Sequence, residues 1–267
     1  RMTEGTFDRP FAAFTFDDWY RYNFRYGYPI FKKRELPFTI YVPSEFADGR
    51  GNLWWLALEK VINDVDELQV RMEGDVRRFV CGTTQEKERT YHVIYWWLRR
   101  IDEKEARTVV RELCRGAGFD PAELGRELLM TWDELRTFSH DPIVTVGAHT
   151  TGHYALAKLS EAEARQEIEI GARRIEQELG RRPLHLSYPY GGEESAGPRE
   201  FQIARELGFK TAVTTRKGSL HAEHEKHLTA LPRVSLNGDY QDERYLSVFL
   251  SGAPFVLYNG LRKVNAA

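Results

Sequence analysis

The sequence has little cysteine: Cys81 and Cys114 are the only two, and they are widely separated. A disulfide framework needs more than one isolated pair, so none is expected, and a reducing compartment is favoured. Neither sign of charge is in excess, with Lys+Arg 38 against Asp+Glu 40 and a formal net charge of -2. That removes the global basic footprint expected for nucleic acid or an anionic membrane surface. No apolar run approaches the ~18 residues that span a bilayer. The opening residues RMTEGTF lack the charged-then-apolar pattern of a signal peptide. They begin close to a strand, so a preceding segment stays open. Internal repeats and low-complexity tracts are absent too.

What is present is material for a core. With 267 residues, 42% hydrophobic and 13% aromatic, the chain can build one large core or two small ones. Its rhythm favours one α/β domain over 1–267, with an insertion. FAAFTF at 11–16 reads as a strand, 20–34 as a helix, and PFTIYVP at 37–43 as a second strand rich in β-branched residues. This βαβ unit implies a parallel pair with a right-handed crossover. Residues 44 to about 138 show mainly helical spacing of apolar residues, interrupted by the weakly strand-like VRRFVCGTT. Strand–helix alternation then resumes, with strands expected at 142–149, 184–191, 209–215 and 231–236. Helices are expected at 160–180, where Ser160 and Glu163 form a capping box, at 198–208 and at 242–252. Six or seven parallel strands with intervening helices predict a barrel or an open doubly wound sheet.

In such folds the chemistry collects at the C-terminal ends of the strands. Three polar clusters fall there: Asp17 and Asp18 after the first strand, His149 and His153 in GAHTTGH, and Tyr188 to Gly191 in YPYG. An HxxxH pair by itself is readily two surface histidines, and adjacent acids are readily a turn or an N-cap. Their shared position is the informative part. Two imidazoles and one carboxylate, with room for water, make a metal site of catalytic type. Neighbouring side chains point different ways, so one acid of the doublet can bind the metal while the other accepts the proton of the activated water.

The strings TFDD at 15–18, HTTGH at 149–153 and YPYG at 188–191 resemble the first three motifs of the polysaccharide deacetylases, carbohydrate esterase family 4. The resemblance covers 11–43 and 142–215, and extends toward 231–250. It implies a distorted (β/α) barrel of about seven parallel strands, with 44–138 as a mainly helical insertion. It also implies removal of acetyl groups from N-acetylglucosamine-containing or O-acetylated saccharides with a divalent metal, commonly zinc. By that resemblance Asp17 is the general base, and Asp18, His149 and His153 hold the metal. Tyr190, after Pro189 and before Gly191, lends its backbone N–H to the oxyanion and lines the sugar groove.

The sequence departs from the family pattern in three places. An arginine that usually orients the base is replaced by Ser187, and Arg233 in LPRVSL is the substitute expected to pair with Asp17. Asn237 stands where a general-acid histidine is usual, leaving His221, His224, His227 or none for that role. Trp19 follows the acid pair in place of a small residue, and either stacks on a sugar or packs in the core. Trp54, Trp55, Trp96 and Trp97 bury the insertion or form a saccharide platform, while His92 and His185 read as structural. The tail APFVLYNGL at 253–261 closes the barrel or meets a partner. Two other functions compete with the deacetylase: a silent carbohydrate-binding relative, and a metal-dependent amidohydrolase of a small amide.

Overall fold

The structure, a computed structural model, describes residues 11–236 and 242–263. In chain order the strands are β1 (Phe14–Phe16), β2 (Phe38–Val42), β3 (Glu67–Met72), β4 (Asp75–Val80), β5 (Val144–Ala148), β6 (His185–Ser187), β7 (Thr211–Lys217) and β8 (Leu231–Arg233). The chain divides into two compact units, Arg1–Glu45 with Trp132–Ala267, and Phe46–Thr131.

The larger unit is built on a six-stranded sheet in the order β1-β2-β5-β6-β7-β8. Every pairing is parallel, from Phe14↔Phe38 at one end to Val213↔Leu231 at the other. Parallel strands need both faces covered, and β2 shows why the chain can do this: Phe38, Ile40, Tyr41 and Val42 are all buried. Six strands at about 4.8 Å spacing would hold β1 and β8 roughly 24 Å apart if flat. Yet Arg233 at the end of β8 lies 2.7 Å from Asp17, just beyond β1. The sheet is therefore curled into the partial barrel expected of the distorted (β/α) fold. Six parallel strands, rather than about seven, make up the sheet among the described residues.

Local signals explain much of this unit. The helix Glu161–Leu179 has the Ser160–Glu163 capping box at its start and Gly180, at φ 70°, at its end. The helix expected over 20–34 is a π-helical turn, Asn23–Gly27, running into the α-helix Tyr28–Lys33. Near the C-terminus, helices Glu243–Leu250 and Ala253–Tyr258 follow, with Phe249 stacked on Phe255 at 5.8 Å. Asn259 donates to the carbonyl of Lys217 at the end of β7. Leu257 and Tyr258 in the apolar tail are exposed.

The smaller unit carries helices Trp54–Asp64, Thr84–Leu98, Glu103–Gly116 and Ala122–Leu128. It also holds an antiparallel hairpin within the stretch 44–138 expected to be mainly helical, its second strand falling on the strand-like VRRFVCGTT: β3 pairs with β4 from Glu67↔Val80 to Met72↔Asp75. Its two-residue turn, Glu73 at φ 55° and Gly74 at φ 92°, matches the primed turns favoured in hairpins. Leu68, Val70 and Met72 are buried while Glu67, Gln69 and Arg71 are exposed, a period of two that outweighs the helical pattern before it. Trp54 and Trp97 are buried, with Trp54 stacked on Tyr95 at 5.3 Å, whereas Trp96 is 45% exposed. His92 is also exposed, its ring 6.3 Å from that of Trp96, rather than enclosed by apolar neighbours.

Candidate functional site

Four strands of the larger unit deliver the site. β1 ends at Phe16 and releases Asp17 and Asp18; β5 ends at Ala148 and releases His149 to His153; β6 ends at Ser187 and β8 at Arg233. The chain turns sharply in each of the first three loops. Asp18 (φ 71°), Trp19 (60°), Thr150 (66°), His153 (59°) and Tyr190 (61°) are left-handed without being glycine. Each such residue costs on the order of 1–3 kcal/mol, and strain of this kind persists where the surroundings over-determine it. At Asp18 it turns the carboxylate away from that of Asp17, so the two acids of the doublet face different partners.

Asp18 faces the histidines. Its Oδ1 lies 3.5 Å from Nε2 of His149 and 3.2 Å from Nε2 of His153. The three side chains offer ligand atoms within 4.8 Å of one another. His149 Nδ1 lies 2.7 Å from the carbonyl oxygen of Ser187, which makes Nδ1 the donor and leaves the Nε2 lone pair for Asp18's side of the site. The residues fit a divalent cation on two counts. Asp18 Oδ1 is buried and accepts no properly directed hydrogen bond, although a buried carboxylate oxygen ordinarily has a partner. The donor set of two imidazoles and a carboxylate also suits a cation that keeps open positions. Burial would raise the Asp18 carboxyl, but the close approach of the His153 and His149 imidazoles outweighs it and holds it well below the usual range. Burial would likewise lower His149, but the nearby carboxylates of Asp18 and Asp17 outweigh it and raise it. A positive charge is wanted at this point.

Asp17 faces Arg233. Nη1 of Arg233 donates to Oδ1 at 2.9 Å and Nη2 to Oδ2 at 2.7 Å, a bidentate fork. Ser187 sits between them: its Oγ donates to Asp17 Oδ2 at 3.3 Å and accepts from Arg233 Nη2 at 3.0 Å. Arg233 is itself held by Thr214 O at 2.9 Å and Thr15 Oγ1 at 3.3 Å. Burial opposes ionisation of Asp17, but Arg233 and His149 reverse that and place its carboxyl below the usual range. Ser187, read from sequence only as a gap in a motif, is thus the small residue that admits an arginine from another strand.

The loop between the histidines is pinned from several sides. Thr150 and Thr151 carbonyls accept from the backbone of Ser44 and Glu45 at 3.1 and 3.0 Å. Thr150 Oγ1 accepts from the backbone of His153 at 3.1 Å. Glu167, on the helix Glu161–Leu179, accepts from the backbone N–H of Thr151 at 3.2 Å and of Gly152 at 2.8 Å. One turn further on, a Cβ at Gly171 would stand 2.5 Å from the Thr150 carbonyl. Glu167 and Gly171 therefore share one helix face that receives the loop. Neither carries a motif signal, so sequence reading passed over both.

The remaining sequence candidates divide. Tyr190 is half-buried with its ring 4.7 Å from that of His153, and Pro189 and Gly191 are buried beside it. Gly191 (φ 63°) leaves no room for a side chain, since a Cβ would approach Thr215 N to 2.5 Å. Trp19, considered as a sugar-stacking ring, is 2% exposed and packs against Phe138, so it offers no face to a ligand. His224 is buried and accepts at Nδ1 from the His221 N–H at 3.0 Å; no hydrogen bond or ion pair joins His221, His224 or His227 to Asp17 or Asp18. His185 Nδ1 lies 2.8 Å from Thr211 Oγ1 within the sheet. Asn237 lies outside the described residues.

Comparison with known proteins gives a consistent result. Residues 4–212 match the family model described as polysaccharide deacetylase. No curated protein matches the sequence. Among solved structures, the Streptococcus pyogenes deacetylase PplD in complex with acetate is similar with a TM-score of 0.53 at 16% identity, covering 88% of this chain and 68% of that one. A de-N-acetylase from Aggregatibacter actinomycetemcomitans reaches 0.50 at 14% identity, covering 88% and 73%. A polysaccharide deacetylase from Bacillus cereus reaches 0.50 at 14% identity, covering 88% and 50%. At these identities the likeness is one of fold.

Proposed function

The chain belongs to the polysaccharide deacetylase family, hydrolases of acetylated saccharides, and on that premise we propose that it removes acetyl groups from an N-acetylglucosamine-containing chain with the help of a divalent cation. The observation that carries this reading is the split doublet: Asp18 turned to two histidines, Asp17 to Arg233. Asp18, His149 and His153 would hold the cation, and an imidazole-rich set of this kind favours zinc. When bound, such a cation supplies Lewis acidity, lowering the pKa of water and polarising a carbonyl.

The residues of this chain do the rest. Asp17 takes a proton from the attacking water as its oxygen bonds to the acetyl carbon. An ionised carboxylate has about four acceptor sites, and Arg233 and Ser187 occupy one on Oδ1 and two on Oδ2. A position on Oδ1 is left for that proton. Arg233 keeps the carboxylate ionised and fixed in angle, and positioning of this sort matters as much as basicity. The Tyr190 backbone N–H is the proposed donor to the oxyanion that develops on the carbonyl oxygen. Collapse breaks the C–N bond, and the amine leaves with a proton returned from the site, producing acetate and a glucosamine unit.

Acetate release from an N-acetylglucosamine oligomer, measured with and without a chelator, tests the proposal. Release that stops with chelator and returns with added zinc supports it. Cation-loaded protein that binds acetylated sugars but releases no acetate would make it a silent carbohydrate-binding relative. Asp17→Asn is expected to lower turnover by ~10²–10⁴-fold while the cation stays bound; loss of the cation instead would exchange the roles of Asp17 and Asp18.

A further inference from the structure

The loop that leaves β1 carries three aromatic residues or near neighbours of the acids, and they end in different places. Trp19 is 2% exposed and Tyr20 7% exposed, whereas Tyr22 is 52% exposed. Between them Arg21 turns to an ion pair with Glu134. The Asn23 N–H donates to the Tyr20 carbonyl at 3.0 Å and closes the turn. The ring of Tyr22 lies parallel to that of Tyr20, 12° between planes and 5.1 Å between centroids. One face of Tyr22 is thus backed by a buried ring, and the side chain as a whole stays open to solvent.

Tyr22 also belongs to the neighbourhood of the acids. Burial first, and then the charge of the Asp18 carboxylate, raises its phenol above the ordinary value. It follows Asp18 by four residues across a turn, so an exposed aromatic ring, backed by Tyr20, lies on the same short loop as the carboxylate proposed to bind the cation. A pyranose presents an apolar C–H face that stacks on such a ring. A tyrosine already held by a neighbour loses little freedom when a ligand covers it.

We propose that Tyr22 is a stacking face for a saccharide unit next to the one being deacetylated, so that it sets the preference for chains over short sugars. The inference rests on the reading of the site as a saccharide deacetylase. The role is one of binding: Tyr22 touches a flanking sugar ring and takes no part in the proton transfers assigned to Asp17. Tyr20 acts through Tyr22, as its support.

The test compares Tyr22→Ala and Tyr22→Phe with the unaltered chain on N-acetylglucosamine monomer and pentamer. Losing one aromatic contact is expected to raise KM for the pentamer about tenfold in Tyr22→Ala, with the monomer much less affected. Tyr22→Phe keeps the ring and is expected to retain the low pentamer KM. Calorimetric binding of pentamer to metal-stripped protein should show the same order without any turnover. If Tyr22→Ala leaves the pentamer-to-monomer ratio of kcat/KM unchanged, the inference is overturned. Equal losses in Tyr22→Phe and Tyr22→Ala would overturn it as well, because the hydroxyl and not the ring would then matter. An unaltered chain that releases acetate from neither sugar would sink the deacetylase reading itself, a result distinguishable from both.

Discussion

Two segments of this molecule are rich in histidine, and among the described residues only one gathers a set that could hold a metal ion. HTTGH at 149–153 places its imidazoles four residues apart, and HAEHEKH at 221–227 places three at intervals of three. On spacing alone the second is the richer cluster. In the first, left-handed turns at Thr150 and His153 swing both rings toward Asp18, with ring centroids 4.9 Å apart. In the second, a 3₁₀ turn over Ala222–His227 sends His224 inward and leaves His221 and His227 partly exposed, and among the described residues no carboxylate joins them in a metal-binding group. A ligand set therefore depends less on how many histidines a segment holds than on whether its backbone is bent toward an acid from another strand.

The comparison can be broken by experiment. The largest expected effect is on cation affinity: His153→Ala should weaken zinc binding by at least about a hundredfold, since one of the three proposed protein ligands is removed. His227→Ala should leave zinc binding as it is. Calorimetric titration checks both, and equal losses would mean that the second segment contributes ligands after all. A smaller effect tests the bent backbone. Glu167→Ala removes the acceptor of the Thr151 and Gly152 N–H groups and should weaken zinc binding by ~10-fold. Glu167→Gln, which keeps one oxygen acceptor, should recover most of it. An affinity unmoved in Glu167→Ala would show that the Ser44 and Glu45 backbone contacts hold the loop unaided.

The smallest effect concerns His224. Burial lowers its pKa, so the folded chain keeps it neutral while the unfolded chain binds a proton near pH 6.5. Stability attached to this group is complete above that pH and declines below it, by up to about 1.4 kcal/mol per pH unit. His224→Phe should flatten the fall in Tm between pH 7 and pH 5 without touching zinc binding. The same slope in both proteins would mean that His224 is not held neutral in the fold.

How much of this could be read from the sequence differs from residue to residue. The Ser160–Glu163 cap, the βαβ start and the parallel class were legible because capping and periodicity are local. The hairpin β3–β4 was less so, because its six alternating residues follow directly on a helical pattern and its turn, Glu73-Gly74, is not one of the strongest turn pairs. Arg233 was legible only as a guess by elimination, once Ser187 had left a gap. Glu167 and Gly171 carried no signal, for what matters is the helix face they share and the loop that lands on it. Trp19 was ambiguous: an aromatic beside two acids suits a sugar or a core equally well until its surroundings are known.

By itself, then, the sequence determined the chemistry on offer: two acids, two histidines at strand ends, a saccharide deacetylase's motifs and an α/β rhythm. Only the tertiary structure decided which atoms meet. Curling the sheet brings β8 to β1, so Arg233 takes Asp17, and the left-handed turn at Asp18 gives the second acid to the histidines. The physical reason is reach. A side chain spans a few ångströms, so partners more than two hundred residues apart in the chain are chosen by the path of the backbone.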